Sequence, residues 1–237
     1  MIPHKTFFNW STGKDSALAL YYLLQDPAYE VEAMLTTLNA HHDRVTMHGL
    51  RRSLWQAQVA ALGIPCHTVE LPEMPDMATY EKSMEEALDP LLAAGHTHAA
   101  FGDIFLEDLK AYREEKLAAT GLKAVFPLWK RDTAELAQEF FNLGFEAVVV
   151  TVNGQVLDES FAGRVYNAEF VADLPEGVDP CGENGEFHTF CYAGPIYSSP
   201  IAYTLGEKVA REYPAPKTDD GQQGPPVVYY YQDLLPV

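Results

Sequence analysis

Hydrophobic and polar positions alternate in two different ways over the first 150 residues. Short runs rich in β-branched and aromatic residues predict strands at 5–10, 31–38, 66–71, 96–102, 123–128 and 145–152. Longer stretches with helical spacing of apolar residues predict helices near 15–26, 49–62, 77–94, 107–120 and 132–143. Regular alternation of strands and helices is typical of a doubly wound, mostly parallel sheet. We therefore predict an α/β domain over residues 1–152.

The pattern changes after Asn153. Glycine and proline interrupt shorter segments there, as in LPEGVDPCGENGEFHTF, and VVYYYQ is the last predicted strand. The segment APKTDDGQQGPP, residues 215–226, is typical of a loop. These features predict a second, smaller α+β lobe over residues 153–237.

Composition and charge narrow the classes of partner. The chain has 237 residues, of which 47% are hydrophobic, enough for a sizeable core. Its 16 basic and 34 acidic residues give a net charge of −18, which repels the phosphate backbone of nucleic acids. The amino terminus lacks the features of a signal peptide, and no run approaches the roughly 20 apolar residues of a membrane span. We expect a cytoplasmic protein without nucleic-acid or membrane partners.

Cysteine and histidine spacing does not match a familiar metal site. The three cysteines include no C-x-x-C pair, so neither a disulfide framework nor a cysteine cluster is indicated. His41, His42 and His48 lie close together in the sequence, but their spacing matches no zinc template. We interpret HHDR as part of a loop near substrate or nucleotide, and His48 as a nucleotide contact.

The segment STGKDS follows the first predicted strand and opens the first predicted helix. Unpaired backbone N–H groups collect at the positive end of a helix, which makes such a junction an anion-binding site. Ser11 and Ser16 can donate hydrogen bonds, Gly13 allows close approach of an oxygen, and Lys14 supplies positive charge. Asp15 can cap the helix or help to hold a magnesium ion.

Two common phosphate-binding patterns do not fit this segment. A Walker A loop requires glycine where Phe8 stands and Ser or Thr where Asp15 stands. A Rossmann G-x-G-x-x-G pattern requires several glycines, whereas Gly13 is the only glycine in residues 1–48. The segment instead resembles the S-G-G-x-D-S loop of the PP-loop ATP pyrophosphatases at every position except Thr12.

Two later segments extend the resemblance. FGDIFLEDLKAYREEKLAATGLKAVFPLW at 101–129 and GENGEFHTF at 182–190 resemble the signatures of the diphthine–ammonia ligase family, one branch of the PP-loop superfamily. With LGFEAVVVTVN and PIY they cover most of residues 5–197 in the order expected for that family. The resemblance implies an adenine nucleotide alpha hydrolase-like fold.

The resemblance also implies a reaction. Members of this family are expected to use ATP and Mg²⁺ to activate a small-molecule or protein-borne carboxylate as an acyl-adenylate. Pyrophosphate leaves, and ammonia then displaces AMP to form an amide. The STGKDS loop would stabilise the charge that develops on pyrophosphate. The implied nucleotide-binding residues are Ser11, Thr12, Gly13, Lys14, Asp15, Ser16, Thr36, Thr37, His48 and Gly102.

Candidate catalytic residues lie in three segments. Lys14 belongs to the loop, and Asp103 follows Gly102 at the carboxyl edge of a strand, where open α/β sheets bind ligands. Asp103 can orient metal or substrate, or it can cap the next helix. Arg113 is a candidate contact for ATP or substrate, with an ion pair to Glu107 or Glu114 as the alternative.

The segment GENGEFHTF supplies two carboxylates and an amide around two glycine turns. Glu183 and Glu186 can bind ammonium or a cationic substrate and accept a proton during amidation, so both are catalytic candidates. A plain hairpin turn is the alternative, because N-G alone is a strong turn signal. Substrate-binding candidates here are Asn184, Gly185 and His188, the last at a position often occupied by Glu in the family.

Two other functions stay open. A tRNA-modifying PP-loop enzyme is disfavoured by the acidic charge and by Cys181 and Cys191, which form a poor candidate pair for thiolation. A module that senses ATP or AMP without turnover is compatible with the loop but gives GENGEFHTF no chemical role. A homodimer is the default expectation for assembly.

Overall fold

The computed structural model describes residues 2–214 and 224–237, so residues 215–223 of the expected loop lie outside the described part. The first sheet contains β1 (His4–Asn9), β2 (Tyr29–Asn39), β3 (Arg44–Val45), β4 (Cys66–Leu71), β5 (His98–Ala100) and β6 (Lys123–Val125). β1 pairs in parallel with β2 and β5, β4 with β2, and β6 with β5. The short β3 pairs antiparallel to β2. The prediction of a mostly parallel sheet is confirmed.

Helices cover both faces of this sheet. They are α1 (Lys14–Gln25), α2 (Arg52–Leu62), α3 (Met77–Ala93), α4 (Glu107–Ala118) and α5 (Thr133–Asn142). Successive strand residues point to opposite faces. Phe8 of β1 accordingly packs in one apolar cluster with α1, α2 and α5, while Phe7 packs in another with α3 and α4. No helix within the described residues combines the length and apolar character needed to cross a membrane.

The second sheet is antiparallel. It contains β7 (Glu146–Asn153), β8 (Val165–Tyr166), β9 (Phe187–Ala193), β10 (Tyr203–Tyr213) and β11 (Val227–Pro236). A 3₁₀ turn at Glu159–Phe161 and the short helix α6 (Ala168–Ala172) lie between β7 and β9.

The sheet that β7 joins differs from the one expected from the sequence. The sequence pattern groups this strand with the alternating first region, but β7 pairs with β8, β9 and β11 in the second sheet. The continuous apolar run AVVV is typical of any doubly buried strand, so it does not indicate which sheet the strand joins. The division at residues 152 and 153 stays a prediction.

The two sheets meet at the amino-terminal end of α1. The backbone N–H of Cys191 in β9 donates to the carbonyl of Thr12, 3.0 Å away. One apolar cluster runs from Phe8 through Val150 to Phe190, so it joins both sheets. The turn that follows β1 therefore lies between the sheets rather than on an open edge.

β10 is the outer strand of the second sheet. Within the described residues it pairs only with β11, and a bulge interrupts the register between Leu205 and Lys208. Glu207, Lys208, Arg211 and Glu212 are exposed along it. A bulge and charged side chains are devices that keep an edge strand from pairing with other chains. The homodimer stays a prediction.

Candidate functional site

The loop Ser11–Ser16 spans the junction between β1 and α1, and its last three residues form the start of the helix. Gly13 stands at the amino cap of the helix with extended backbone angles, φ −86° and ψ 173°. The hydroxyls of Ser11 and Ser16 are 2.6 Å apart, and the Ser11 N–H donates to Ser16 Oγ at 3.2 Å. The loop is thus closed by its two serines at the positive end of the α1 dipole.

Thr12 adopts the left-handed backbone conformation, with φ 78°, and its residue is completely buried. A β-branched residue is strained there, whereas glycine adopts this conformation freely. The position is the one where the S-G-G-x-D-S pattern has glycine. The Thr12 carbonyl accepts hydrogen bonds from Gln58 Nε2 and from the Cys191 N–H, both at 3.0 Å. These two contacts hold the strained backbone in place.

Gln58 was not among the residues expected at the site. This α2 side chain is completely buried. Its Nε2 donates to the carbonyls of Thr12 at 3.0 Å and Cys191 at 2.6 Å, and its Oε1 accepts from Trp10 Nε1 at 3.0 Å. The available sequence signal was an amide on the apolar side of an amphipathic helix. The amide joins β1, the loop and β9.

We expect Gln58→Met to lower the free energy of unfolding by about 3 kcal/mol, because it leaves Trp10 Nε1 and two carbonyls buried without their amide partner. Gln56→Met is the matched control, since Gln56 is exposed on the same helix. Urea titrations of both variants check this. Equal stability of the two variants would contradict the bridging role of Gln58.

Lys14 is buried, with 3% of its surface exposed. Its Nζ contacts both carboxylate oxygens of Asp15, at 2.8 and 2.7 Å, and donates to the Cys181 carbonyl. The ammonium also lies 5.3 Å from the Tyr166 ring centroid and 5.5 Å from that of Phe187. Burial alone would lower the pKa of Lys14, but the charge and hydrogen bond of Asp15, together with Cys181 and Glu183, outweigh the burial and raise the pKa. Lys14 is therefore a charged group between the loop and the second sheet.

Gly102 lies directly against the loop. A Cβ at this position would stand 3.0 Å from the backbone N of Ser16 and 3.1 Å from the carbonyl carbon of Asp15. Separations this short against backbone atoms would force the backbone to shift by a few tenths of an ångström, so glycine favours the close packing of the segment after β5 against the start of α1. Gly102 therefore lies beside the loop, while its expected role in nucleotide binding stays a prediction.

Asp103 and Arg113 pair with each other. Arg113 Nη2 donates to Asp103 Oδ1 at 3.1 Å, and Arg113 Nε is 2.8 Å from Asp103 Oδ2. The guanidinium lies 4.4 Å from the Phe101 ring centroid. Leu106, rather than Asp103, occupies the cap position of α4. The alternative of an Arg113 pair with Glu107 or Glu114 is therefore wrong, as is helix capping by Asp103.

Glu183 joins the segment GENGEFHTF to the segment that follows β5. Its Oε1 accepts hydrogen bonds from the backbone N–H groups of Ile104 at 2.7 Å and Phe105 at 3.3 Å. Burial and the charge of Asp15 raise the pKa of Glu183 to about 7, against the opposing effect of these hydrogen bonds. Glu183 can therefore gain or lose a proton near neutral pH.

Glu186 is buried, with 6% of its surface exposed. Its Oε1 accepts from the Asp179 N–H at 3.1 Å and from Asn184 Nδ2 at 3.0 Å. Its Oε2 is buried and has no hydrogen-bond partner within residues 2–214 and 224–237. Asp179, which sequence reasoning did not single out, accepts from the N–H groups of Cys181 at 3.1 Å and Glu183 at 2.9 Å. Gly185 completes the turn with φ 84°.

His48 and His188 stack, with ring centroids 4.9 Å apart and an interplanar angle of 26°. His48 Nδ1 donates to the Thr189 carbonyl at 2.9 Å, and a Cβ at Gly13 would lie 2.8 Å from His48 Cε1. Burial lowers the pKa of His48 to about 4 and that of His188 to about 3, with help from the Lys14 charge. Both rings are therefore neutral at pH 7.

His188→Gln should weaken the loss of stability in acid. In the wild type the folded state resists protonation of His188 until about pH 3, while the unfolded chain takes up the proton near pH 6.5. Stability from this group is therefore full above pH 6.5 and lost as pH falls toward 3, by at most about 1.4 kcal/mol per pH unit. Urea unfolding at pH 7.5 and 5.0 measures the effect. His67→Gln, on an exposed histidine, should keep the wild-type pH dependence.

Thr36 and Thr37 of β2 make hydrogen bonds with other residues of the protein. Thr36 Oγ1 donates to the Trp10 carbonyl at 2.8 Å and accepts from Trp55 Nε1 at 3.2 Å. The Thr37 hydroxyl contacts the hydroxyl of Thr46. Their expected role beside a nucleotide stays a prediction, while their structural role at the end of β1 is observed.

Two family models match the chain along most of its length. A family model described as the diphthamide synthase N-terminal domain matches residues 4–124, and one described as the diphthamide synthase C-terminal domain matches residues 132–213. A diphthine–ammonia ligase from Danio rerio is 31% identical over 110 residues, which are 44% of this chain and 43% of the relative. Diphthine–ammonia ligases from Bos taurus and Rattus norvegicus are 27% identical over 110 residues, 44% of this chain and 41% of each relative. The match thus spans less than half the length of these curated relatives.

Proposed function

Because the chain belongs to the diphthamide synthase family, whose two domain models match residues 4–124 and 132–213, we propose that it is an ATP-dependent amide ligase with a PP-loop fold. In the proposed reaction a carboxylate oxygen attacks the α-phosphorus of ATP, and the bond to the β-phosphate breaks to release pyrophosphate. Ammonia then attacks the acyl carbon of the adenylate, AMP leaves, and a base takes the proton from nitrogen. The relatives named diphthine–ammonia ligase suggest a diphthine-like carboxylate.

One observation supports this proposal most directly: three distant segments meet around α1. Gly102 packs against the backbone of Asp15 and Ser16. Glu183 accepts from the N–H groups that follow Asp103. Lys14 reaches the Cys181 carbonyl at the start of the glutamate-bearing turn. The proximity of this loop to the carboxylates supports the proposal, because activation followed by amidation requires an anion-binding group beside a proton acceptor.

The loop would serve the first step. The N–H groups at the start of α1 and the helix dipole favour a phosphate group at this position. Lys14 already forms an ion pair with Asp15. The ammonium would therefore stabilise the leaving pyrophosphate either while it stays in this ion pair or after the ion pair opens. Stabilisation of charge that develops in the transition state is commonly the largest catalytic contribution.

The carboxylates suit Mg²⁺, which prefers oxygen ligands. Asp15, Asp179, Glu183 and Glu186 offer only oxygen atoms, and Glu186 Oε2 is buried without a partner among the described residues. Asp15 would be the protein ligand here, together with phosphate oxygens. When bound, Mg²⁺ would neutralise charge on the phosphates.

The glutamate turn would serve the second step. Glu183, with a pKa of about 7, is suited to accept the proton that ammonia loses on forming the amide. The unpartnered Glu186 Oε2 provides an acceptor for ammonium as it enters. Asn184 and His188 would contact the carboxylate substrate, and the neutral His188 ring offers that substrate no charge.

The cysteines give little support to a thiolation enzyme. All three are free, and burial raises the pKa values of Cys181 and Cys191 to about 12. Sulfur transfer requires a reactive thiolate, which these environments disfavour. A nucleotide sensor without turnover is separated from the ligase by the assay that follows.

The test measures exchange of labelled pyrophosphate into ATP. The protein is incubated with ATP, Mg²⁺, ammonium and a library of carboxylates that includes diphthine-bearing peptides. We expect exchange that depends on one class of carboxylate, and an amide product with AMP when ammonium is present. Release of ADP and phosphate would contradict the adenylate. Tight ATP binding without exchange for any acceptor would favour the sensor.

A further inference from the structure

A second group of ligating side chains lies away from the STGKDS loop, where the β2–β3 turn meets the β4–α3 loop. His41 and His42 from the turn and Glu73 from the loop each offer one donor atom, and these atoms all lie within 4.8 Å of one another. His42 Nε2 is already 2.7 Å from Glu73 Oε1, and the two imidazole rings have centroids 4.8 Å apart. All three residues are exposed, so a solvated ion can reach them.

The backbone around these residues is held by further contacts. Asn39 Oδ1 accepts hydrogen bonds from the N–H groups of both His41 and His42, each at 3.0 Å. Arg52 pairs with Asp43 in the same turn and lies 2.8 Å from a carboxylate oxygen of Glu70 near the end of β4. The β2–β3 turn is therefore tied to the end of β4, which leads into the loop that carries Glu73. A site whose backbone is already ordered loses less entropy when it binds an ion.

We propose that His41, His42 and Glu73 bind one divalent transition-metal ion of the zinc class. Two imidazoles and one carboxylate form a donor set that suits Zn²⁺ and leaves a fourth position for water. Bonds of about 2 Å place tetrahedral donors roughly 3.3 Å apart. The His42–Glu73 hydrogen bond must lengthen slightly, and the widest donor separation must shrink by at most about 1.5 Å from 4.8 Å, within the reach of exposed side chains. Mg²⁺ and Ca²⁺, which prefer oxygen ligands, would compete poorly.

The pattern of histidines could not show this site. Sequence templates for zinc rely on ligands at short fixed spacings, and Glu73 is 31 residues beyond His42. Pairing of β2 with β4 brings the two loops together. The bound ion would join the β4–α3 loop to the hairpin that continues through β3 to His48. The proposed metal site is thus distinct from the proposed ATP site, but in the sequence it lies near His48, a residue of the ATP site.

The test uses chelator-treated full-length protein and needs no ATP. Zn²⁺ binding is followed by calorimetry, and Co²⁺ binding by its visible absorption, in the presence of excess Mg²⁺. We expect one equivalent of Zn²⁺ and an affinity at least tenfold lower in His42→Ala and in Glu73→Gln. His67→Ala and Glu30→Gln, at exposed residues outside the cluster, should bind as the wild type does.

Far-UV circular dichroism shows whether each variant is folded. Wild-type affinity in both His42→Ala and Glu73→Gln would overturn the proposal, as would the absence of stoichiometric Zn²⁺ binding to the wild-type protein. Loss of binding in His67→Ala alone would also overturn it, because the ion would then lie elsewhere. Since ATP is not present, failure of the ligase proposal has no effect on these outcomes.

Discussion

Lys14→Met is expected to reduce pyrophosphate exchange at least 100-fold and to lower the free energy of unfolding by about 3 kcal/mol. Lys14 Nζ is the cation beside Asp15, and the charges of Asp15 and Glu183 act on it in turn. Without the ammonium, Asp15 remains next to Glu183 with its charge uncompensated. The loop would then repel ATP instead of attracting it.

Stability and activity must be measured separately for this variant. Urea unfolding gives the first quantity, and exchange at a temperature where the variant is fully folded gives the second. Lys82→Met is the matched control, because Lys82 is an exposed lysine with a long 3.7 Å contact to Glu86. Wild-type exchange by folded Lys14→Met would show that Lys14 serves structure alone.

Glu183→Gln is expected to slow amide formation about 100-fold while pyrophosphate exchange continues. Glutamine keeps an oxygen for the N–H groups of Ile104 and Phe105 but cannot accept a proton. The first step does not need that proton, so the adenylate would form and persist. Quantifying AMP and amide in a single turnover checks this, with Glu176→Gln as a control at an exposed glutamate.

The same variant has a defined effect of pH on stability. The pKa of Glu183 is about 7 when folded, against an ordinary value of 4.5. Its contribution to stability is therefore full below pH 4.5 and is lost as pH rises to 7. Glu183→Gln has no such loss, so its stability relative to the wild type should rise between pH 4.5 and 7 and then level off. A difference that stays constant with pH would contradict the raised pKa.

Much of the fold follows from local pattern. Apart from the short β3, which was not predicted, the helices and strands through α5 overlap the positions that periodicity predicts. Each of these elements has one or two buried faces, and clear turn residues separate the elements. Sheet membership is different, since it depends on pairing between distant segments. The apolar run of β7 suits either sheet, and its antiparallel partners β9 and β11 come later in the chain.

The candidate site shows the same limit. STGKDS, Gly102 and Glu183 could be proposed from their residues and resemblance. The structure packs Gly102 against STGKDS and bonds Glu183 to the segment that follows Asp103. Gln58 and Asp179 could not be proposed in this way. Gln58 bonds to backbone groups that are distant in sequence, and Asp179 bonds to a backbone group within its own turn. Pairing of Asp103 with Arg113 was also missed, because helical spacing suggested closer partners on α4.

The strained turn at Thr12 makes the shape of the loop a property of the whole chain. Its carbonyl is held by Gln58 from α2 and by Cys191 from β9, so neither the first sheet nor the second alone supplies both hydrogen bonds. A fragment that ends before β9 would leave Thr12 free to relax to an ordinary backbone conformation. The loop therefore takes its observed shape only when late and early segments of the polypeptide have docked, and a fragment of half this length would carry its residues without its geometry.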